Sequence, residues 1–326
     1  MARSWGIWTR GKLQILERYL AAFCTASVRS SARVYLDLFA GEPENVDRSS
    51  GQEIAGSARI ALELANPPFT KLYLFELPQL AERLQERLEH DFPGRARVIP
   101  GDCNETIAMA LDELREVRWA PTFAFIDPNG PDCHWRTLEQ LAAHRAAEKT
   151  KVELWLLLPD GLFVRTLPID AKTQVRPEDA DRITLMYGTD DWRRIYEARL
   201  RGELDAAEAR AQYVNLMRWR LESVLGYQWT HQFEVRNQNG VPIYHMVFAT
   251  DHEAGTRIMS ALYSKASQEF PAMRKQANQE RRDRIQSAKG ILSLFDAEVM
   301  RGLVGGAIDM RAAYKHEPPE KPFWES

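Results

Sequence analysis

Cysteine is scarce and scattered. Only Cys24, Cys103 and Cys133 occur in 326 residues, too far apart for a disulfide framework or a zinc-ligand spacing. No apolar run approaches the roughly 18 residues of a membrane span; the longest, around Leu154 to Leu158, has the length of a strand. The first residues, Met-Ala-Arg-Ser-Trp-Gly, lead into an amphipathic pattern without the apolar core of an export signal. Neither sign of charge dominates, since 43 Lys plus Arg face 46 Asp plus Glu. A whole-surface electrostatic grip on nucleic acid is thereby disfavoured, while a local basic patch stays open. Internal repeats, low-complexity tracts, a Walker loop, a nucleophile elbow, a zincin helix and an acid-acid-lysine nuclease pattern are missing as well. The expectation is a metal-free cytoplasmic protein with no membrane segment.

What is present is globular material. A 44% hydrophobic and 27% charged composition excludes disorder as the main state, and the length fits one large domain or two small ones. Ile15, Leu16, Tyr19, Leu20 and Phe23 recur at helical spacing. Five short apolar runs then alternate with helical patterns: 34–39, 71–76, 96–100, 122–126 and 152–158. Continuous apolar runs of this kind predict parallel strands buried on both faces and joined by right-handed crossovers. A long helical pattern follows, and then two strand-like runs, 227–235 and 244–250, separated by the turn formers of 236–242. A loop that short joins antiparallel neighbours. The fold expected is a doubly wound α/β sheet, five parallel strands ending in an antiparallel hairpin.

In such a sheet a ligand sits outside the carboxyl ends of the strands. The predicted ends gather Asp37 to Pro43, Glu76, Asp102, Asp127 to Gly130, and Pro159-Asp160. A buried strand has no packing use for a carboxylate, so each acid needs a hydrogen-bonding role. Any one of them can be a helix N-cap. Together they suit a nucleoside, the acid after the second strand matching a ribose diol.

The segment Asp37-Leu38-Phe39-Ala40-Gly41 resembles the first motif of class I S-adenosylmethionine-dependent methyltransferases, in the variant of nucleic-acid-modifying members. The resemblance implies S-adenosylmethionine as cofactor. It places Asp37, Phe39, Ala40 and Gly41 at the methionine end, Glu76 at the ribose hydroxyls, and Asp102 at the adenine edge with Cys103 lining the pocket. Glu42-Pro43 stands where the motif usually ends in a second glycine. Asp127-Pro128-Asn129-Gly130 occupies the position of the fourth motif, where amino-group methyltransferases carry Asp or Asn, two prolines and an aromatic. There the resemblance implies a catalytic group of Asp127, Asn129 and His134, with Asp127 orienting the acceptor and His134 or Trp135 supplying a base or a stacking face. The same four residues also have the composition of a plain turn.

Taken in order, several segments are similar to a narrower family, the three-Cys-motif partner proteins. They are Trp8-Thr9, Lys12-Leu13, Tyr19-Leu20, 35–41, Gly56-Ser57, Phe125-Ile126-Asp127-Pro128 with Gly130, and 244–250. The resemblance implies a partner protein carrying three cysteines and, as acceptor, a nucleic acid base. An alternative is an adaptor with this fold and little or no catalysis. The organisation expected is a methyltransferase-like domain over 1–260, with a helical insertion at about 172–226, and a helical extension over 261–326. Lys12 reads either as a solvated lysine or as a contact to the cofactor carboxylate. His245 and His252 read as structural. Arg274, Lys275, Arg281, Arg282, Arg284 and Lys289 form a basic stretch that suits a solvated face or a phosphate track. Beyond it Ile291, Leu292, Leu294 and Phe295 form an apolar cluster, and the last ten residues are expected to be loosely ordered.

Overall fold

The computed structural model describes residues 4–5, 7–47, 53–169, 173–237, 239–288, 313 and 315–325. In chain order the elements are β1 (Ser4–Trp5), α1 (Ile7–Ala26), β2 (Val34–Asp37), β3 (Glu44–Asp47), β4 (Glu53–Ala55), α2 (Ser57–Glu63), β5 (Lys71–Glu76), α3 (Pro78–Asp91), β6 (Arg97–Pro100) and α4 (Cys103–Glu113). They continue with β7 (Thr122–Ile126), α5 (Trp135–His144), β8 (Glu153–Leu158), α6 (Asp160–Thr166), α7 (Pro177–Tyr187), α8 (Trp192–Leu200), α9 (Ala206–Ser223), β9 (Trp229–Arg236), β10 (Pro242–Thr250) and α10 (Glu253–Ala288).

Seven strands form one sheet in the order β6-β5-β2-β7-β8-β10-β9. The first five run parallel, and β10 is antiparallel to both β8 and β9. Every residue of β2, β7 and β8 is buried, which is why these strands read as unbroken apolar runs. Side chains alternate between two cores. Leu154, Leu156, Leu158 and Val247 face one, shared with residues of α4 to α9. Trp155, Leu157, Met246 and Phe248 face the other, shared with α1 and α10. Buried polar groups on that second face are paired: Glu153 accepts from the Tyr19 hydroxyl and from Thr250 Oγ1, and Trp155 Nε1 donates to the Tyr263 hydroxyl at 2.7 Å.

Three features differ from the sequence expectation. A second sheet, β1-β3-β4, stands directly after the loop that follows β2, and its strands are too short and polar to read as apolar runs. The boundary at 260 cuts through α10, in which Ala261, Leu262, Tyr263 and Ala266 are all core residues. The helix does turn from apolar to charged, but without a break in the backbone. Finally, 315–325 is docked instead of loose. Asn215 Nδ2 donates to the Glu320 carbonyl and its Oδ1 accepts from Glu320 N, each at 2.9 Å. Arg218 donates to the Glu317 carbonyl, and Pro319 and Pro322 are buried. The insertion interval holds α7, α8 and α9. Lys289, Ile291, Leu292, Leu294 and Phe295 lie outside the described residues, as do the side chains of Arg274, Arg281, Arg282 and Arg284. Among the described residues no helix is long and apolar enough to cross a membrane.

Candidate functional site

The sheet changes direction of winding between β2 and β7, so the crevice outside their carboxyl ends is the expected ligand position. The loop after β2 is fastened to both neighbours of that strand. Leu38 N donates to the Phe125 carbonyl of β7, and Ala40 N to the Phe75 carbonyl of β5, each at 3.0 Å. Gly41 adopts φ 64°, a conformation open to glycine without strain. Its N–H donates to Glu76 Oε2 at 2.8 Å, while Leu77 N donates to Oε1 at 2.8 Å. A carboxylate has about four lone-pair sites, so half-buried Glu76 keeps acceptor capacity toward the crevice. Phe39 is half-buried and Ala40 buried.

Asp37 has no exposed surface. Its carboxyl accepts from the Tyr35 hydroxyl at 3.1 Å and Phe39 N at 3.3 Å, and from the Ser57 side chain. Burial, reinforced by nearby Asp127, pushes this carboxyl up to about 7. Asp37, expected at the methionine end of the cofactor, thus lies behind the loop and braces it. Pro43 is buried, and its carbonyl accepts from Gly56 N at 2.7 Å. Glu44 is ion-paired with Arg59 and Arg87. This loop is a built structure in which Pro43 is buried and its carbonyl is engaged. A Cβ at Gly56 would lie 2.5 Å from the Glu42 carbonyl oxygen and 3.0 Å from that of Pro43. Gly56→Ala is accordingly expected to cost about 1–3 kcal/mol, the range for overpacking, read as a lower urea midpoint. A change under about 0.5 kcal/mol would show that the loop moves aside freely.

The loop 127–134 joins β7 to α5. Asp127 is ion-paired with Lys12 of α1, whose side chain is only 5% exposed. The solvated reading of Lys12 is overturned, because α1 lays this lysine against the carboxyl end of β7. Asn129 is exposed and Gly130 buried. His134 is half-buried at the N-cap of α5, its backbone N–H donating to Asn104 Oδ1 at 2.8 Å. Trp135 is not a stacking face for a ligand. It is 3% exposed, its Nε1 donates to Glu139, and the Arg220 guanidinium lies 4.4 Å from its ring centroid. Its job is to seat the helical insertion on α5.

Asp102 is the N-cap of α4, its Oδ1 accepting from Asn104 N and Nδ2 at 2.8 Å. Its side chain is exposed. Cys103 is buried in the core, and desolvation pushes its thiol up to about 12, which disfavours the thiolate at neutral pH. At the end of β8, fully buried Asp160 lies 3.0 Å from His245 Nδ1 and 3.2 Å from Arg210 Nε. His252 Nδ1 accepts from Ala254 N at 3.1 Å, a structural role as expected.

No family model matches the chain, and no curated protein does. Among solved structures, protein LPL1258 from Legionella pneumophila str. Philadelphia 1 is similar at 11% identity, over 73% of this chain and 84% of its own, with a TM-score of 0.40. At that identity and score the likeness says nothing of ligand or activity.

Three residues of this region escape a sequence reading, as does the pairing of Lys12 with Asp127, 115 residues away. Leu77 directly follows Glu76 and leaves a large apolar side chain 54% exposed at the crevice rim, a signal visible only once the strand end is located. Asn104 and Arg182 reach the loop 127–134 from α4 and α7; the Asp-x-Asn pattern of Asp102 and Asn104 reads simply as a cap. Among the described residues no His, Cys, Asp and Glu cluster could hold a metal ion.

Proposed function

We propose that this chain is an S-adenosylmethionine-dependent methyltransferase, acting on an amino group of a nucleic acid base together with a partner that carries a three-cysteine motif. The observation that carries the reading is the strand order, with antiparallel β10 inserted between parallel β8 and the edge strand β9. Few doubly wound folds other than the class I methyltransferases have this layout.

The residues at the crevice suit the cofactor. The free lone pairs of Glu76 match a ribose diol, exposed Leu77 offers an apolar wall to a purine, and Asp102 Oδ2 has no partner among the described residues. The left-handed turn at Gly41 keeps backbone close to where the methionine end would lie. When bound, S-adenosylmethionine supplies a methyl group on a positively charged sulfur. The protein's own contribution is positioning: Lys12 fixes the Asp127 carboxylate, and Asp127 accepts a hydrogen bond from the acceptor amine. The three-cysteine partner and the nucleic acid base rest on the sequence resemblance alone.

A second reading, an adaptor without catalysis, is favoured by one observation, the engagement of Asp127 by a buried lysine. Calorimetry separates the two. Binding of S-adenosylmethionine or S-adenosylhomocysteine near the micromolar range, about −8 kcal/mol, supports the enzyme, and absence of heat with both supports the adaptor. Glu76→Ala is expected to weaken cofactor binding by about 1.5–3 kcal/mol, the range for a hydrogen bond to a charged group. Unchanged affinity in a folded variant removes Glu76 from the ribose site.

A further inference from the structure

The loops after β6 and β7 belong to strands separated in the sheet by β5 and β2. No strand pairing joins them, yet one side chain does. Asn104 Nδ2 donates to Asp102 Oδ1 and to the Asp132 carbonyl, while its Oδ1 accepts from His134 N and Thr137 Oγ1, all at 2.8 Å. A carboxamide has two donor hydrogens and two acceptor lone pairs. All four are used, two on each side of the amide. The chain of contacts continues into the insertion, because Asp132 Oδ1 accepts from Arg182 Nη2 of α7 at 2.5 Å. The same Nη2 lies 3.2 Å from where a Cβ at Gly130 would stand.

We propose that Asn104 is a positioning residue that couples occupancy of the adenine-side loop to the order of the acceptor loop 127–134 and, through Asp132, to α7. The inference rests on the functional reading above. A ligand bonded to Asp102 Oδ2 immobilises the carboxylate whose other oxygen anchors Asn104. Local opening of a loop is opposed by whatever fixes its anchors, and ordering at one site then lowers the ordering cost at the second. The acceptor loop is thus held more firmly when cofactor is present than when it leaves. Neither Asp102 nor His134 alone provides this link, since each contacts Asn104 and not the other.

Hydrogen exchange of the full chain, with and without S-adenosylhomocysteine as probe, tests it alongside calorimetry. In the wild type the probe should give heat and slow exchange across residues 130–137. In Asn104→Ala the heat should persist and the ligand-dependent slowing should be lost. A residue with a merely structural role would change exchange equally with and without the probe. Should Asn104→Ala fold poorly, Asn104→Asp keeps the acceptor oxygen but removes both donors and sets a second carboxylate beside Asp102, and the same loss is expected. Slowing in either folded variant equal to that of the wild type overturns the coupling. Heat in the wild type without slowing at 130–137 also overturns it and leaves the cofactor reading standing. No heat in the wild type overturns the cofactor reading itself, and the coupling with it.

Discussion

Asp127→Asn is expected to destabilise the fold by about 3 kcal/mol or more, the cost of leaving one member of a buried ion pair uncompensated. Lys12 is 5% and Asp127 18% exposed at the side chain, so the ammonium has little water to turn to. Its other close contact is the Phe125 ring at 6.0 Å, a weak substitute for a carboxylate. Urea denaturation of the single variants and of Lys12→Met/Asp127→Asn closes a double-mutant cycle. The double variant should recover most of the loss, because it removes both charges. A single-variant loss under about 1 kcal/mol, the range for an exposed pair, would show that water reaches the lysine. The consequence for activity is direct: a silent Asp127→Asn enzyme counts as evidence for catalysis by Asp127 only at a temperature where the variant is folded.

Asp37→Asn is expected to flatten the dependence of stability on pH. Burial first, and then the charge of Asp127, raise the native carboxyl from the ordinary 3.8 to about 7. The native state therefore holds a proton that the unfolded chain releases near pH 4. The stabilisation is complete below about pH 4 and is lost as pH rises through about 7. At 1.36 kcal/mol per unit the difference is on the order of 4 kcal/mol. In Asp37→Asn the hydroxyls of Tyr35 and Ser57 can rotate to meet the amide, so the variant should be the more stable protein at pH 8 and the wild type should catch up toward pH 4. Urea titrations at intervals between these limits measure the gap. Parallel curves for the two proteins would mean that the Asp37 carboxyl is ionised throughout. Buried Glu153 is raised in the same direction and His231 is lowered to about 4, and both are common to the two proteins, so the difference isolates Asp37.

The parallel sheet was legible because burial on both faces removes polar residues from β2, β7 and β8, leaving runs that no other element of that length produces. The hairpin was legible from its turn formers. The acids at the strand ends were legible as a group, since carboxylates do not belong in such runs, but their individual roles were not. Asp37 and Asp127 look alike in sequence; one is sealed behind its loop and the other meets a lysine from α1. Trp135 misled for a related reason: an aromatic near a motif says nothing about which side its ring faces, and here Gly188 and Arg220 cover it. β3 and β4 carry too few apolar residues to announce themselves. The docking of 315–325 uses backbone carbonyls and prolines, features that in a sequence signal only the absence of regular structure.

The contacts that dock this segment also set an order of events in time. Asn215 and Glu320 are 105 residues apart, and Arg218 and Glu317 are 99 apart. At about 5–20 residues per second, α9 is made roughly 5–20 s before its partner. During that interval the Arg218 guanidinium, 8% exposed in the finished protein, has its bonds to Thr230 of β9 but lacks the Glu317 carbonyl, and Asn215 lacks both of its bonds to Glu320. A neighbouring nascent chain presents backbone carbonyls of the same kind. Crowded synthesis is therefore where mispairing of α9 would begin, and slowing elongation would lengthen the exposure instead of relieving it.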